Sequence, residues 1–101
     1  MVFAMIVLSL FRGLINVPQS MREIATLVAE RHGLTLEELR GPSRKHRVSR
    51  PRQEAMAFMR AEGRFSYPQI ARYFGKDHTT VLHAVRAHAA RYEMAEQARA
   101  A

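Results

Sequence analysis

A four-residue signature occurs three times in this chain and fixes where its helices begin. Ser20-Met21-Arg22-Glu23, Thr35-Leu36-Glu37-Glu38 and Ser66-Tyr67-Pro68-Gln69 each place a hydroxyl three residues before a Glu or Gln. In that spacing the hydroxyl accepts from the amide of the third helical residue. The longer side chain reaches back to the amide of the hydroxyl residue, so two orphan donors are satisfied together. Each signature therefore starts a helix. Behind the first, Ile24, Leu27, Val28 and Arg31 follow at helical spacing, and Gly33 suits a C-terminal cap. The second opens a short helix that Gly41-Pro42 stops. The third opens another, with Ile70, Tyr73 and Phe74 on its inner side, and Gly75 turns the chain behind it. A longer helix is expected with Pro51 in its first turn, running through Ala55, Met56, Phe58 and Met59 to a stop at Gly63. A last helix is expected from about Asp77, with Val81, Leu82, Val85 and His88 along one stripe. There is no internal repeat and no strand-like alternation. The fold class is all-α, a small helical bundle.

A length of 101 residues bounds the chain to one domain with a small core. Sixteen Lys and Arg against nine Asp and Glu leave a formal charge of +7. Such an excess calls for a polyanionic partner, either nucleic acid or an anionic membrane surface. The absence of cysteine excludes disulfides and thiolate metal sites, and fits a reducing, cytoplasmic setting.

Three stretches follow from composition. Residues 1–19 are an apolar N-terminal extension. Its run Met1 to Phe11 is too short for the roughly 20 residues of a spanning helix. It also lacks the basic start and small-residue cleavage site of a signal peptide. An extra packing element, a poorly ordered tail and a homodimer contact are the readings it leaves. Residues 1–11 have no polar face and no lysine, so they do not make the cationic amphipathic helix of a membrane-surface binder. Residues 20–92 form the domain proper. Residues 93–101, rich in Ala, Glu and Arg, are expected to extend the last helix into solvent.

Two features carry chemistry. Residues 40–52 hold Arg40, Arg44, Lys45, Arg47, Arg50 and Arg52, with His46 among them and no acid. Beyond Gly75 and Lys76, the last helix opens on Asp77, His78, Thr79 and Thr80 before its apolar run. Asp can accept from a cytosine amino group, His can donate to or accept from a base edge, and Thr offers a hydroxyl and a methyl. Polar reach at the helix N-terminus with packing behind it is how a recognition helix is built. With residues 66–74 it makes a helix-turn-helix. Read blandly, Asp77 is an N-cap and the threonines finish a first turn. Four such residues after a glycine turn, in a chain this basic, favour double-stranded DNA.

Over residues 21–92 the sequence resembles the C-terminal DNA-binding domain of the bacterial replication initiator DnaA. The resemblance rests on Arg44-Lys45, on Arg50-Pro51-Arg52-Gln53-Glu54-Ala55-Met56-Ala57, on Ser66-Tyr67-Pro68-Gln69-Ile70 and on Asp77 to Ala84. It implies a Trp-repressor-like helix-turn-helix fold. By its pattern, Arg44 enters the minor groove, and Tyr67 and Pro68 lie at a thymine methyl. Asp77, His78 and Thr79 read the major groove. Lys45, Arg47, Arg52, Gln53, Ser66, Lys76, Thr80 and His83 hold phosphate. It further implies DnaA-box-like sites, a role in replication initiation or its regulation, and a nucleoid-associated, cytoplasmic protein. A transcriptional regulator or a mobile-element protein with a different site is the alternative.

The sequence departs from the family pattern. The family carries two glycines and a basic residue before the Asp, where this chain has only Gly75 and Lys76. Tyr67 stands for a leucine, and Gly63 falls where a phosphate-binding threonine is usual. No Gly-x-x-x-x-Gly-Lys-Ser/Thr loop occurs, so no nucleotide cofactor is expected, and the chain looks like a free-standing DNA-binding domain without the ATPase module. Catalysis is not expected either. His78, His83 and His88 recur every five residues, a rotation of roughly 140° per step, and share no helix face.

Overall fold

The computed structural model describes residues 20–100. The apolar segment 1–19, and with it the expected dimer contact, lies outside the described residues. Five helices follow one another: α1 (Met21–Arg31), α2 (Leu36–Arg40), α3 (His46–Ala61), α4 (Tyr67–Phe74) and α5 (His78–Ala100). No strand occurs among the described residues.

Two of the three capping boxes close in full. Thr35 Oγ1 accepts from the Glu38 amide at 3.1 Å, and Glu38 Oε1 accepts from the Thr35 amide at 3.1 Å. Ser66 Oγ accepts from the Gln69 amide at 3.3 Å, and Gln69 Oε1 accepts from the Ser66 amide at 2.8 Å. The first closes by half: Ser20 Oγ accepts from the Glu23 amide at 3.1 Å, and no return bond from Glu23 is formed among the described residues.

The start of α3 differs from the expectation. The helix begins at His46, so Pro51 sits inside it rather than in its first turn, and its N-cap, Lys45, has no side-chain cap bond. Pro51 lacks the N–H that would bond to the carbonyl four residues back. What holds the first turns is tertiary contact, because Val48, Pro51 and Arg52 are all buried. The consequence is functional: His46, Arg47 and Arg50 ride on a helix and not on a loop.

The core is built where these helices cross. Ile24 and Val28 of α1, Leu39 of α2, Met56 and Met59 of α3, Ile70 of α4 and Val81 of α5 are fully buried. Each such side chain contributes about 1.5–3 kcal/mol as an upper estimate. α3 lies centrally and packs most heavily against α5 and α1. Only Val81 and Ala84 of α5 are buried, and residues 93–100 are exposed along their whole length. No helix among the described residues is long and apolar enough to cross a membrane.

Candidate nucleic-acid interface

The pairing of α4 and α5 is fixed by the turn between them. Gly75 has φ 64° and ψ 35°, in the left-handed region that glycine enters without a Cβ penalty. The turn is closed by the Lys76 amide, which donates to Ala71 O at 2.9 Å. Arg40 holds the same end from α2. Its Nε and Nη2 donate to Tyr73 O at 3.0 and 2.8 Å, and its guanidinium lies 4.2 Å from the Tyr73 ring centre. The exit of α4 is thus tied to α2, and the direction in which α5 leaves follows from it.

α5 opens on exposed polar side chains. Asp77, His78, Thr79, Thr80 and His83 are all exposed. Asp77 Oδ1 accepts from the Thr79 amide at 3.4 Å and lies 3.1 Å from His78 Nδ1. The capping role of Asp77 is therefore real but uses one carboxylate oxygen. Behind this tip, a cleft between α3 and α5 brings Arg44, Arg52, Gln53, Lys76, Thr80 and His83 together. These residues span 40 positions of sequence, and the fold alone gathers them.

The rest of the expected set lies outside that cleft, with Lys45 and Arg47 bordering a separate hollow beside Glu38, Gly41 and Pro42. Arg44 and Lys45 are exposed in the segment before α3. Arg47 is exposed and pairs with Glu38 at 3.2 Å. A solvated pair of this kind is worth about 0–1 kcal/mol. Hydrogen bonding by the Thr35 amide, with Arg47 contributing, holds the Glu38 carboxyl below the usual carboxylate value. Ser66 spends its acceptor on the cap and keeps its hydroxyl donor. Tyr67 is half-buried and Pro68 exposed beside it.

Three side chains depart from what the sequence suggests. Arg52 is only 7% exposed, although it lines the same cleft as Arg44 and Gln53. Its Nε donates to Leu39 O at 2.6 Å and its Nη1 to Ser43 O at 2.9 Å. Burial pushes its guanidinium below the ordinary arginine value. Gln53 is half-buried, and its Oε1 accepts from Arg91 Nη2 at 2.5 Å. Burial, and Arg50 nearby, push Arg91 down as well. Nothing in the sequence marks Arg60. It lies 4.6 Å from the Tyr67 ring centre and donates from Nη1 to Phe65 O at 3.3 Å. Its signal was one helical position among several arginines, and only the Tyr67 ring distinguishes it.

No group of His, Asp or Glu that could hold a metal forms among the described residues. A glycine-closed helix pair, with hydrogen-bonding side chains at the tip of the second helix and cations flanking it, defines the class of DNA-binding helix-turn-helix domains. Residues 21–87 match the model of the bacterial dnaA protein helix-turn-helix, and the chain belongs to that family. It is similar to the chromosomal replication initiator protein DnaA of Thermus thermophilus, 50% identical over 64 residues, which are 62% of this chain and 15% of the relative. The DnaA of Cereibacter sphaeroides is 41% identical over 68 residues, 66% of this chain and 15% of the relative. That of Deinococcus radiodurans is 40% identical over 65 residues, 64% and 14% respectively. The chain therefore spans about 15% of the length of the curated relatives it matches.

Proposed function

We propose that this domain binds duplex DNA sequence-specifically, at DnaA-box-like sites, in replication initiation or its regulation. The single observation that carries the reading is the exposed Asp77-His78-Thr79-Thr80 tip behind the left-handed Gly75 turn. Asp77, His78 and Thr79 read base edges in the major groove, and Tyr67 and Pro68 pack at the neighbouring thymine. Lys45, Arg47, Arg52, Gln53, Ser66, Lys76, Thr80 and His83 set the register through phosphates, which position the protein without carrying sequence. Arg60, held beside the Ser66 corner by the Tyr67 ring, joins them. Arg44 enters the adjacent minor groove, where narrow A·T-rich segments concentrate negative potential.

The test separates reading from holding. Fluorescence anisotropy is measured on a duplex selected by the wild-type chain and on a shuffled duplex. His78→Ala and Thr79→Ala are each expected to lose about 1–3 kcal/mol on the selected duplex and to keep their affinity for the shuffled one. Equal loss on both duplexes would remove these side chains from the reading.

A further inference from the structure

Gln53 lines the cleft from α3, and Thr80, Ala84 and Ala87 line it from α5. The three α5 residues follow the spacing of one helix face. Arg91 comes next along that stripe, four positions beyond Ala87. A helical side chain leans back toward the N-terminus of its helix, so Arg91 reaches toward the cleft from the far end. There its Nη2 donates to Gln53 Oε1 at 2.5 Å. Arg91 itself does not line the cleft. The bond decides how the Gln53 amide is turned. A guanidinium carries donors only, so the carbonyl oxygen of Gln53 must face Arg91. The amide nitrogen then lies on the other side with both hydrogens left for an acceptor, since no bond from Nε2 forms among the described residues.

We propose that Arg91 is a positioning residue for Gln53, holding its amide with the nitrogen free to donate to a DNA phosphate. This rests on the reading of Gln53 as a phosphate contact given above. The phosphate of a DNA backbone offers acceptor oxygens and no hydrogen. An amide turned the other way would set oxygen against oxygen. A glutamine left alone samples both orientations and many rotamers, and gives up that freedom on binding. Held in advance by Arg91, it has less to lose. Arg91 does this without touching DNA. The rival role is a direct phosphate contact by Arg91, beside the nearby charge of Arg50.

The test uses the full chain as wild type, Gln53→Ala, Arg91→Met and the double variant. Affinity for a selected and for a shuffled duplex is read by anisotropy at several salt concentrations. Methionine keeps an unbranched apolar stem and removes the donors and the charge. Gln53→Ala should weaken both duplexes about three- to tenfold, the range of one hydrogen bond, and Arg91→Met by no more than that. The double variant should stay within about twofold of Gln53→Ala, because residues acting through one another are non-additive. Gln53 is neutral, so its contact releases no counterion, and the salt slope should stay near that of wild type in all three variants. A second measurement is made by NMR on the wild type and needs no variant to fold. The Gln53 Nε2 hydrogens should shift when a shuffled duplex is added, and the Arg91 Nε–H should barely move. In Arg91→Met the same Gln53 hydrogens should shift less, while the backbone amides of residues 78–80 shift as in wild type. A slope shallower by about 0.9 in Arg91→Met, with a further loss in the double variant, makes Arg91 itself a phosphate contact and overturns the assignment. So does full affinity in Arg91→Met beside a loss in Gln53→Ala. So does an Arg91 Nε–H that shifts as far as the Gln53 hydrogens. If Gln53→Ala itself keeps full affinity, the phosphate reading of Gln53 fails and takes this assignment with it.

Discussion

Replacing Gly75 by Ala tests how the helix-turn-helix is held. The residue has φ 64°, and a Cβ added there would meet nothing within 4 Å. No steric collision contributes, so the whole cost is the left-handed conformation, about 1–2 kcal/mol for a residue with a Cβ. Asparagine tolerates this region better, and Gly75→Asn should recover part of that loss. Gly63 supplies the contrast. Its φ is not in the left-handed region, but an added Cβ would fall 2.6 Å from the Phe65 ring and 2.9 Å from Met59 O. The Phe65 ring can swing, but the Met59 carbonyl belongs to the helix backbone and cannot. Overpacking of this kind typically costs about 1–3 kcal/mol. It should bring Gly63→Ala to or beyond the loss in Gly75→Ala. In urea denaturation the midpoint should fall with an unchanged slope, in the order Gly75→Asn, Gly75→Ala, Gly63→Ala from least to most. For a domain of this size, Gly75→Ala should lower Tm by roughly 4–16 °C. The folded fraction should still bind DNA, because the Lys76-to-Ala71 bond that closes the turn uses backbone atoms alone. A Gly75→Ala protein as stable as wild type, or an Asn variant worse than Ala, would mean that the left-handed backbone at Gly75 carries no cost.

Two further outcomes follow from charge. Burial pushes His88 below the ordinary histidine value, with Glu54 opposing and Arg91 adding to it. The unfolded chain then binds more protons in this range, so stability is full above about pH 6.5 and is lost as pH falls through the depressed folded value. Urea midpoints at intervals from pH 7.5 downward should decline below about 6.5, and His88→Leu should flatten that part of the curve. For DNA, about four to six neutralised phosphates predict a log–log salt slope of roughly −4 to −5, read from anisotropy titrations at several salt concentrations. Binding that ignores salt would remove the basic segment from the interface.

What could be read from sequence was local. Thr35 with Glu38 and Ser66 with Gln69 are four-residue chemistry, and both boxes close as their spacing demands. Gly75 and the polar tip behind it are equally local. Non-local contacts decided the rest. α3 starts at His46 although Lys45 offers no cap and Pro51 stands inside the helix, because Val48, Pro51 and Arg52 are buried against other elements. Arg52 reads as one more surface cation until the fold brings the Leu39 and Ser43 carbonyls to it. The Gln53–Arg91 bond joins residues 38 positions apart, and no spacing rule reaches that far.

One face of the domain is expected to meet DNA. An amide NMR titration of the full chain with a duplex that it selects tests this most directly. Shifts should concentrate at residues 44–53, 60–68 and 76–83. Little should change along the exposed side of α1, at Glu23, Leu27 and Glu30, or in α5 beyond residue 93. Shifts centred instead on Arg22, Glu37 and Arg72, which border a separate surface hollow between α1, α2 and α4, would contradict this expectation.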